Sequence, residues 1–190
     1  MNLYFIYLLV ANVAGFLSVL TEVRLRKKNK NIAPLILGLA VVGGALGEVL
    51  AIIVFKYRPD KENMLEEVMA FTMLVIWIVC VIFGFSVVQN GLKLDIIGFF
   101  TVHSWILVYL FVMNVIAFAF FASDKWAAVR GKWRVPIVVL LGVSALGGAI
   151  GGMIAMYTLR HKTQKSYFTI GMPLILVMHI LVLLLLVNIY

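Results

Sequence analysis

The sequence has few charged residues and only one cysteine. Asp, Glu, Lys and Arg make up 13% of its 190 residues, against about 25% in an average soluble domain, whereas 64% are apolar and the mean hydropathy is +1.11. So few charged side chains cannot cover the surface of a soluble monomer. The single cysteine, Cys80, excludes a secreted disulfide scaffold, and the apolar composition excludes intrinsic disorder. The composition therefore predicts a protein whose solvent is the lipid bilayer.

Motifs that carry chemistry are also missing. The sequence contains no Ser-His-Asp set, nucleophile elbow, carboxylate pair or cofactor-binding motif, and its histidines lack the spacing of metal ligands. We therefore expect no enzymatic activity, cofactor or metal. A net charge of +8 would suggest nucleic acid as the partner of a soluble protein, but here the Lys and Arg residues cluster between apolar runs. Membrane lipids with anionic headgroups are the expected partners, and nucleic acid is not.

Six apolar runs are long enough to cross a membrane. A helix needs about 20 apolar residues to cross about 30 Å of hydrocarbon, so the chain is predicted to be an all-α polytopic membrane protein with six transmembrane helices. The first run lacks a basic start and a cleavage site, which favours a retained span over a signal peptide. The stretch Gly91–Val102 also fits an interfacial helix. The six runs are Leu3–Leu20, Ala33–Phe55, Val68–Val88, Ile96–Phe121, Val135–Leu159 and Ile170–Tyr190.

The sequence contains an internal repeat. The pattern Y-L-x-V-x-N-V-x-x-F, which begins at Tyr7, recurs at Tyr109 with six of its ten positions identical. Further matches follow in order, and such ordered matches do not arise from apolar composition alone. They pair Glu22 with Asp124, Pro34 with Pro136, Gly43-Gly44-Ala45-Leu46-Gly47 with Gly147-Gly148-Ala149-Ile150-Gly151, and Lys56 and Arg58 with Arg160 and Lys162. The sequence thus predicts a duplication.

The predicted halves are residues 1–90, which are the more degenerate copy, and residues 91–190. Because each half holds three predicted spans, the second copy would enter the membrane in the opposite sense, as an inverted-topology repeat. With six crossings, nine Lys and Arg residues lie on one side of the membrane and seven on the other. This small excess favours both termini outside.

The second half carries residues that are typical of a known family. Asn114, Phe118 and Phe168 accompany four motifs, which are Asp124-Lys125, Lys132-Trp133-Arg134-Val135-Pro136, Gly147-Gly148-x-x-Gly151 and Arg160-His161-Lys162-Thr163. On these residues the chain resembles a small bacterial membrane family known as domain of unknown function 1294, whose members look like single three-span units. The resemblance implies two fused copies in a bacterial cytoplasmic (inner) membrane and supplies no activity. Ile137 stands where the family usually has Glu, so a salt bridge from that carboxylate is not expected.

Four polar residues inside predicted spans are candidates for a transport pathway. They are Glu48, Asn12, Asn114 and His103. Glu48 costs about 2.5–3.5 kcal/mol at membrane depth, so it should face protein or water, either as a cation or proton carrier or as a protonated acid bonded to a neighbouring helix. The two asparagines occupy equivalent repeat positions, where they would line a pathway or form structural hydrogen bonds. His103, at the entrance of a span, is a possible titrating group or a core histidine.

Two further groups of residues have separate expected roles. Glycines spaced four apart allow close helix packing, and these are Gly43, Gly44, Gly47, Gly147, Gly148 and Gly151. Headgroup or anion contacts are assigned to Asp124, Lys125, Arg134, Arg160, His161 and Lys162. The alternative for this second group is snorkelling cations with a local Asp124 salt bridge. Inverted topology would separate Asp124 from the Arg160-His161-Lys162 cluster by the whole bilayer.

Two functional hypotheses follow from these observations. The first is a small transporter or channel for an ion or small solute, with its pathway at the interface of the inverted repeats. The alternative is a membrane module that transports nothing and binds anionic lipid headgroups or a partner protein. Six short spans are few for a complete pathway, which makes a homodimer a further expectation.

Overall fold

The computed structural model describes residues 3–26, 32–55 and 64–190, and these residues contain helices and no strands. The chain is therefore all-α, as predicted. The basic loop residues Lys27, Lys28, Lys30, Lys56, Arg58 and Lys61 lie outside the described residues. The helices are α1 (Leu3–Arg26), α2 (Ala33–Leu39), α3 (Ala45–Val54), α4 (Met64–Asn90), α5 (Ile96–Val102), α6 (Ser104–Val129), α7 (Ile137–Val143), α8 (Ala149–Thr158), α9 (Ser166–Thr169) and α10 (Gly171–Ile189).

Six helical segments of the described chain are long and apolar enough to cross a membrane, which supports a multi-pass membrane protein. They are Phe5–Leu25, Ala33–Val54, Met64–Gln89, Ser104–Val129, Ile137–Thr158 and Ser166–Ile189. The predicted fourth run is divided at His103, where α5 ends and α6 begins. The chain forms two compact units, Met1–Val81 and Ile82–Tyr190, and this division falls inside α4.

In the second unit, the segment made of α7 and α8 bends back on itself. Asp124, near the end of α6, accepts a hydrogen bond from the Val135 backbone N–H at 3.0 Å, just before α7, and lies 2.8 Å from Nε2 of His161, just after α8. Both ends of the segment therefore meet at one carboxylate. A straight helix over Ile137–Thr158 would instead place its ends about 33 Å apart.

Glycine makes this reversal possible. A five-residue turn, Ser144–Gly148, joins α7 to α8, and Gly147 within it has φ +121°, a backbone conformation that residues with a Cβ rarely adopt. From this turn α8 runs alongside α6 in the same direction, so that Gly147 lies against Leu110 whereas Gly152 lies against Phe121. The segment is a helical hairpin whose tip is Gly147.

The first unit contains a second hairpin of the same kind. The Ile32 N–H, just before α2, donates to Oε2 of Glu22 at 2.8 Å, and Phe55, just after α3, packs on Phe16 of α1 with ring centroids 5.7 Å apart. Ala40–Gly44 forms the turn, with Gly43 at φ +111°. The apolar core of the hairpin contains residues of α1, both hairpin arms and α4, namely Val19, Ile36, Val49, Ala51, Ile52 and Ala70.

These hairpins bear on the predicted inverted topology, which the structure does not confirm. That prediction required three crossings in each half, with Ala33–Val54 and Ile137–Thr158 as straight spans. Each segment instead bends back along the long helix on which it started, to Asp124 of α6 in the second unit and to Phe16, six residues before Glu22, on α1 in the first. Hydropathy measures how apolar a segment is and not whether its backbone reverses direction, which is why the sequence pattern missed the bend.

Candidate functional site

The first candidate site is a buried ionic cluster that closes the second hairpin. Asp124 is fully buried, and its Oδ2 lies 2.7 Å from Nζ of Lys162 and 2.8 Å from Nε2 of His161. With the Val135 N–H on Oδ1, both carboxylate oxygens are occupied. We call Asp124, His161, Lys162 and the Val135 N–H the Asp124 clamp. The prediction that Asp124 and the Arg160-His161-Lys162 cluster lie on opposite membrane faces was wrong, because the hairpin brings them into contact.

The electrostatics of the clamp centre on Lys162. Burial lowers the pKa of its ammonium group and nearby Arg134 acts in the same direction, whereas Asp124 raises it. Nζ of Lys162 also lies 5.0 Å from the centroid of the Phe168 ring, a cation–π arrangement. Lys162 (φ +63°) and Arg160 (φ +45°) both have left-handed backbone conformations, and these turn the chain at the end of α8 towards Asp124.

Exposed cations surround the clamp. Arg134 is 55% exposed and its Nε lies 3.9 Å from Oδ1 of Asp124, while Arg160 is exposed and Lys125 is half-buried. Trp133 is 80% exposed next to Arg134 in the sequence. Since Asp124 is already occupied by Lys162 and His161, the positive charge of the exposed residues is available to an external anion.

The two asparagines hold the hairpins against the long helices. Oδ1 of Asn114 accepts from the Gly151 N–H at 2.6 Å, and its Nδ2 donates to Leu110 O and Gly147 O. Asn12 does the same in the first unit, where its Oδ1 accepts from the Gly47 N–H at 2.9 Å and its Nδ2 donates to the carbonyl four residues earlier. Their amides are thus engaged within their own units.

The predicted packing glycines lie where helices approach closely. A Cβ on Gly47 would lie 1.8 Å from Asn12 O, and a Cβ on Gly151 would lie 2.0 Å from Asn114 O. A Cβ on Gly44 or Gly148 would also lie within 3 Å of the backbone of the adjacent long helix. These positions therefore accept no side chain without separating the helices.

Sequence reasoning missed the donors that bind the hairpin tips. The hydroxyls of Tyr7 and Tyr109 donate to Val42 O and Leu146 O. Trp77 Nε1 donates to Val41 O at 3.3 Å in the first unit. In the second unit Nε2 of His179 lies 2.8 Å from Ala145 O. The two tyrosines belong to the sequence repeat and so were detectable, whereas Trp77 and His179 become partners only through the bend of the hairpin.

The second candidate site is Glu48, in the first turn of α3. Its side chain is fully buried, and neither carboxylate oxygen has a hydrogen-bond partner among the described residues. It packs against Gly15 of α1, and buried Glu66 of α4 lies within electrostatic range. Its equivalent in the second unit is Gly152, where a Cβ would lie 2.7 Å from the terminal methyl of Met172 and 3.0 Å from the Phe121 ring, so an acid there would have to displace the Met172 side chain. The acidic position therefore distinguishes the two units.

The remaining candidates give no further site. His103 stacks on Phe99 at 4.8 Å between ring centroids and packs edge-on against Tyr190, which is a packing environment. In the part of the chain that the structure describes, no three His, Cys, Asp or Glu side chains are grouped as metal ligands.

Comparison with known proteins places the clamp inside a family match. The family described as "Protein of unknown function (DUF1294)" matches residues 114–168, which run from the hairpin asparagine Asn114 to Phe168. The uncharacterized protein YsdA of Bacillus subtilis (strain 168) is 38% identical over 72 residues, which are 38% of this chain and 81% of that protein. No solved structure matches the chain. The family match, which covers the second hairpin and the residues of the Asp124 clamp, together with the similarity to YsdA shows that the chain belongs to the DUF1294 family.

Proposed function

We propose that the chain is a small membrane transporter or channel for protons or small cations. The observation that supports this most is Glu48, a fully buried carboxylate without a hydrogen-bond partner among the described residues. A carboxylate at membrane depth costs several kcal/mol unless a proton, a cation or a hydrogen-bond donor compensates it, and such residues typically mark ion or proton pathways. A purely structural acid would be expected to have a donor.

The position of Glu48 suits this role. It lies six residues before the end of α3, about 9 Å inside the hairpin mouth. Glu66 and Glu67, both buried in the first turn of α4, supply further acidic groups on the same unit. Helices interrupted within the membrane recur at the binding sites of transporters, near the middle of the bilayer. The turn at Ala40–Gly44 directly precedes the helix that carries Glu48.

Flux through purified protein in liposomes tests the proposal. We expect proton or alkali-cation flux, followed with pH-sensitive and potential-sensitive dyes, that falls to the level of protein-free liposomes in Glu48→Gln. Gln keeps the size of the side chain but carries no exchangeable charge. The matched control is Asp95→Asn, an exposed acid outside the spans that caps α5. Equal flux in wild type and Glu48→Gln, or none for any of these ions from folded protein, would refute the proposal.

We also infer that the chain arose by duplication of one hairpin unit. The sequence repeat is supported by matching geometry, because each unit has an asparagine that accepts from a glycine N–H, a tyrosine at the hairpin tip and a glycine with positive φ. In place of the inverted arrangement, we propose two copies of the same sense in a bacterial cytoplasmic membrane. A homodimer and the lack of enzymatic activity remain predictions.

A second candidate function is binding of anionic lipid headgroups, and the exposed cations around the Asp124 clamp favour it. The test is the thermal stability of the detergent-solubilised protein with and without phosphatidylglycerol. We expect the added lipid to raise the melting temperature of the wild type and not that of the double variant Arg134→Gln, Arg160→Gln. Lys93→Gln, which changes a cation elsewhere in the same unit, should respond like the wild type. An equal response of all three proteins would exclude this binding site.

A further inference from the structure

We infer that the chain crosses the membrane four times and that its two hairpins are re-entrant, with both ends of each hairpin on the same membrane surface. This surface carries nearly all the positive charge and contacts the anionic headgroups of the cytoplasmic leaflet. In this topology α1, α4, α6 and α10 cross the bilayer. The segments Ala33–Val54 and Ile137–Thr158 enter and leave on the same side.

The geometry of the second unit supports this topology directly. Val135 and His161, at the two ends of the hairpin, bind the same carboxylate, so both ends lie at the level of Asp124 on α6. The tip lies at the level of Tyr109, which binds Leu146 O. Tyr109 and Asp124 are fifteen residues apart on one helix, or about 22 Å, so the hairpin penetrates roughly three quarters of a 30 Å hydrocarbon layer.

The hairpin tips also satisfy the main physical requirement for a re-entrant segment. Backbone that leaves helical geometry at membrane depth is tolerated only where protein or water takes up its polar groups. At the second tip three successive carbonyls, those of residues 145–147, are bound by His179, Tyr109 and Asn114. At the first tip, the carbonyls of residues 41 and 42 are bound by Trp77 and Tyr7. A straight span would need none of these partners.

The distribution of charge gives an independent argument. With six crossings the Lys and Arg residues divide nine to seven, which is close to no bias. With four crossings, 15 of the 16 fall at helix ends or in the segments between them on the side where the hairpins open, and only Lys93 lies on the other side. Short loops rich in Lys and Arg face the cytoplasm. This surface therefore faces the cytoplasm, where anionic lipids supply the counter-charge, and both termini lie outside.

Accessibility of single cysteines tests the topology. Cys80 is first replaced by Ala, after which Lys132→Cys and Gln164→Cys mark the two exposed loops that flank the second hairpin, and Leu92→Cys marks the loop before α5. In intact spheroplasts we expect a membrane-impermeant maleimide to label Leu92→Cys and neither of the other two variants. All three should react after the membrane is permeabilised, which shows that each is reactive.

The alternatives give different labelling patterns. A straight fifth span would place positions 132 and 164 on opposite sides, so labelling of one and not the other in intact spheroplasts would overturn the re-entrant topology. Labelling of both, with Leu92→Cys protected, would overturn the cytoplasmic assignment. Asn29→Cys and Asn63→Cys bracket the first hairpin in the sequence and should be protected together, and labelling of either would contradict the inference for the first unit.

Discussion

Replacing Gly151 by Ala should weaken the contact between α8 and α6 severely. The added Cβ would lie 2.0 Å from Asn114 O and 2.6 Å from its carbonyl carbon, both of them helix backbone that cannot rotate away. To restore an ordinary van der Waals distance, α8 would have to move away from α6 by roughly 1 Å or more, and such overpacking lowers the free energy of unfolding by about 1–3 kcal/mol. The shift also breaks the 2.6 Å bond from the Gly151 N–H to Oδ1 of Asn114, and leaving such a buried group unpaired costs about 1–3 kcal/mol more.

The expected total is therefore about 2–6 kcal/mol, or on the order of 10 °C in melting temperature for a chain of this size. Thermal unfolding of the purified protein in detergent, followed by tryptophan fluorescence, measures it. Gly142→Ala is the matched control, because the same substitution on α7 meets no atom within 4 Å and improves helix propensity. A melting temperature for Gly151→Ala within about 2 °C of that of Gly142→Ala would refute the reasoning on helix contact.

Three further predictions use the same melting assay. Asp124→Asn should lower the free energy of unfolding by about 3–5 kcal/mol, because it leaves Lys162 buried without its counter-charge. The double variant Asp124→Leu, Lys162→Met should recover most of that stability, and a double variant as unstable as the sum of its two single variants would contradict this. Tyr109→Phe should cost about 1 kcal/mol, the worth of the hydrogen bond to the hairpin tip, and an unchanged melting temperature would show that this bond is dispensable. Glu48→Met should raise the melting temperature, because it removes a buried carboxylate whose oxygens have no hydrogen-bond partner among the described residues. A destabilised Glu48→Met would count against an acid kept for function.

The sequence was sufficient to predict the helices because each long apolar run is an average over many side chains. Whether the backbone continues across the membrane or reverses is decided by single residues instead. The pairs Gly43-Gly44 and Gly147-Gly148 interrupt their runs near the middle, and one glycine of each pair adopts positive φ and reverses the backbone. Interpreting these glycines as packing residues explained Gly47 and Gly151, which lie against asparagine backbone. It missed that Gly43 and Gly147 turn the chain.

The sequence identified residues of the Asp124 clamp as candidates but did not predict that they lie together. Asp124, His161 and Lys162 were each selected, but straight spans forced them to opposite sides of the bilayer. One bend at Gly147 brings them within hydrogen-bond distance. Contacts that depend on a tertiary reversal have no periodic signature in the sequence, and an assumed topology therefore determined which pairs of residues could be considered.

Comparison of the two units indicates which part of the fold is scaffold and which part has room for function. Both have the hairpin, the asparagine bond and the tyrosine at the tip, so these features serve the fold. The units differ at the position that follows Gly47 in the first unit and Gly151 in the second. The first unit has Glu48 there, whereas the second has Gly152, which is enclosed by Met172, Phe121 and Ser144. An acid at position 152 would displace this packing. The proposed proton or cation chemistry at this position therefore belongs to the first unit, the half of the chain that departs most from the family pattern.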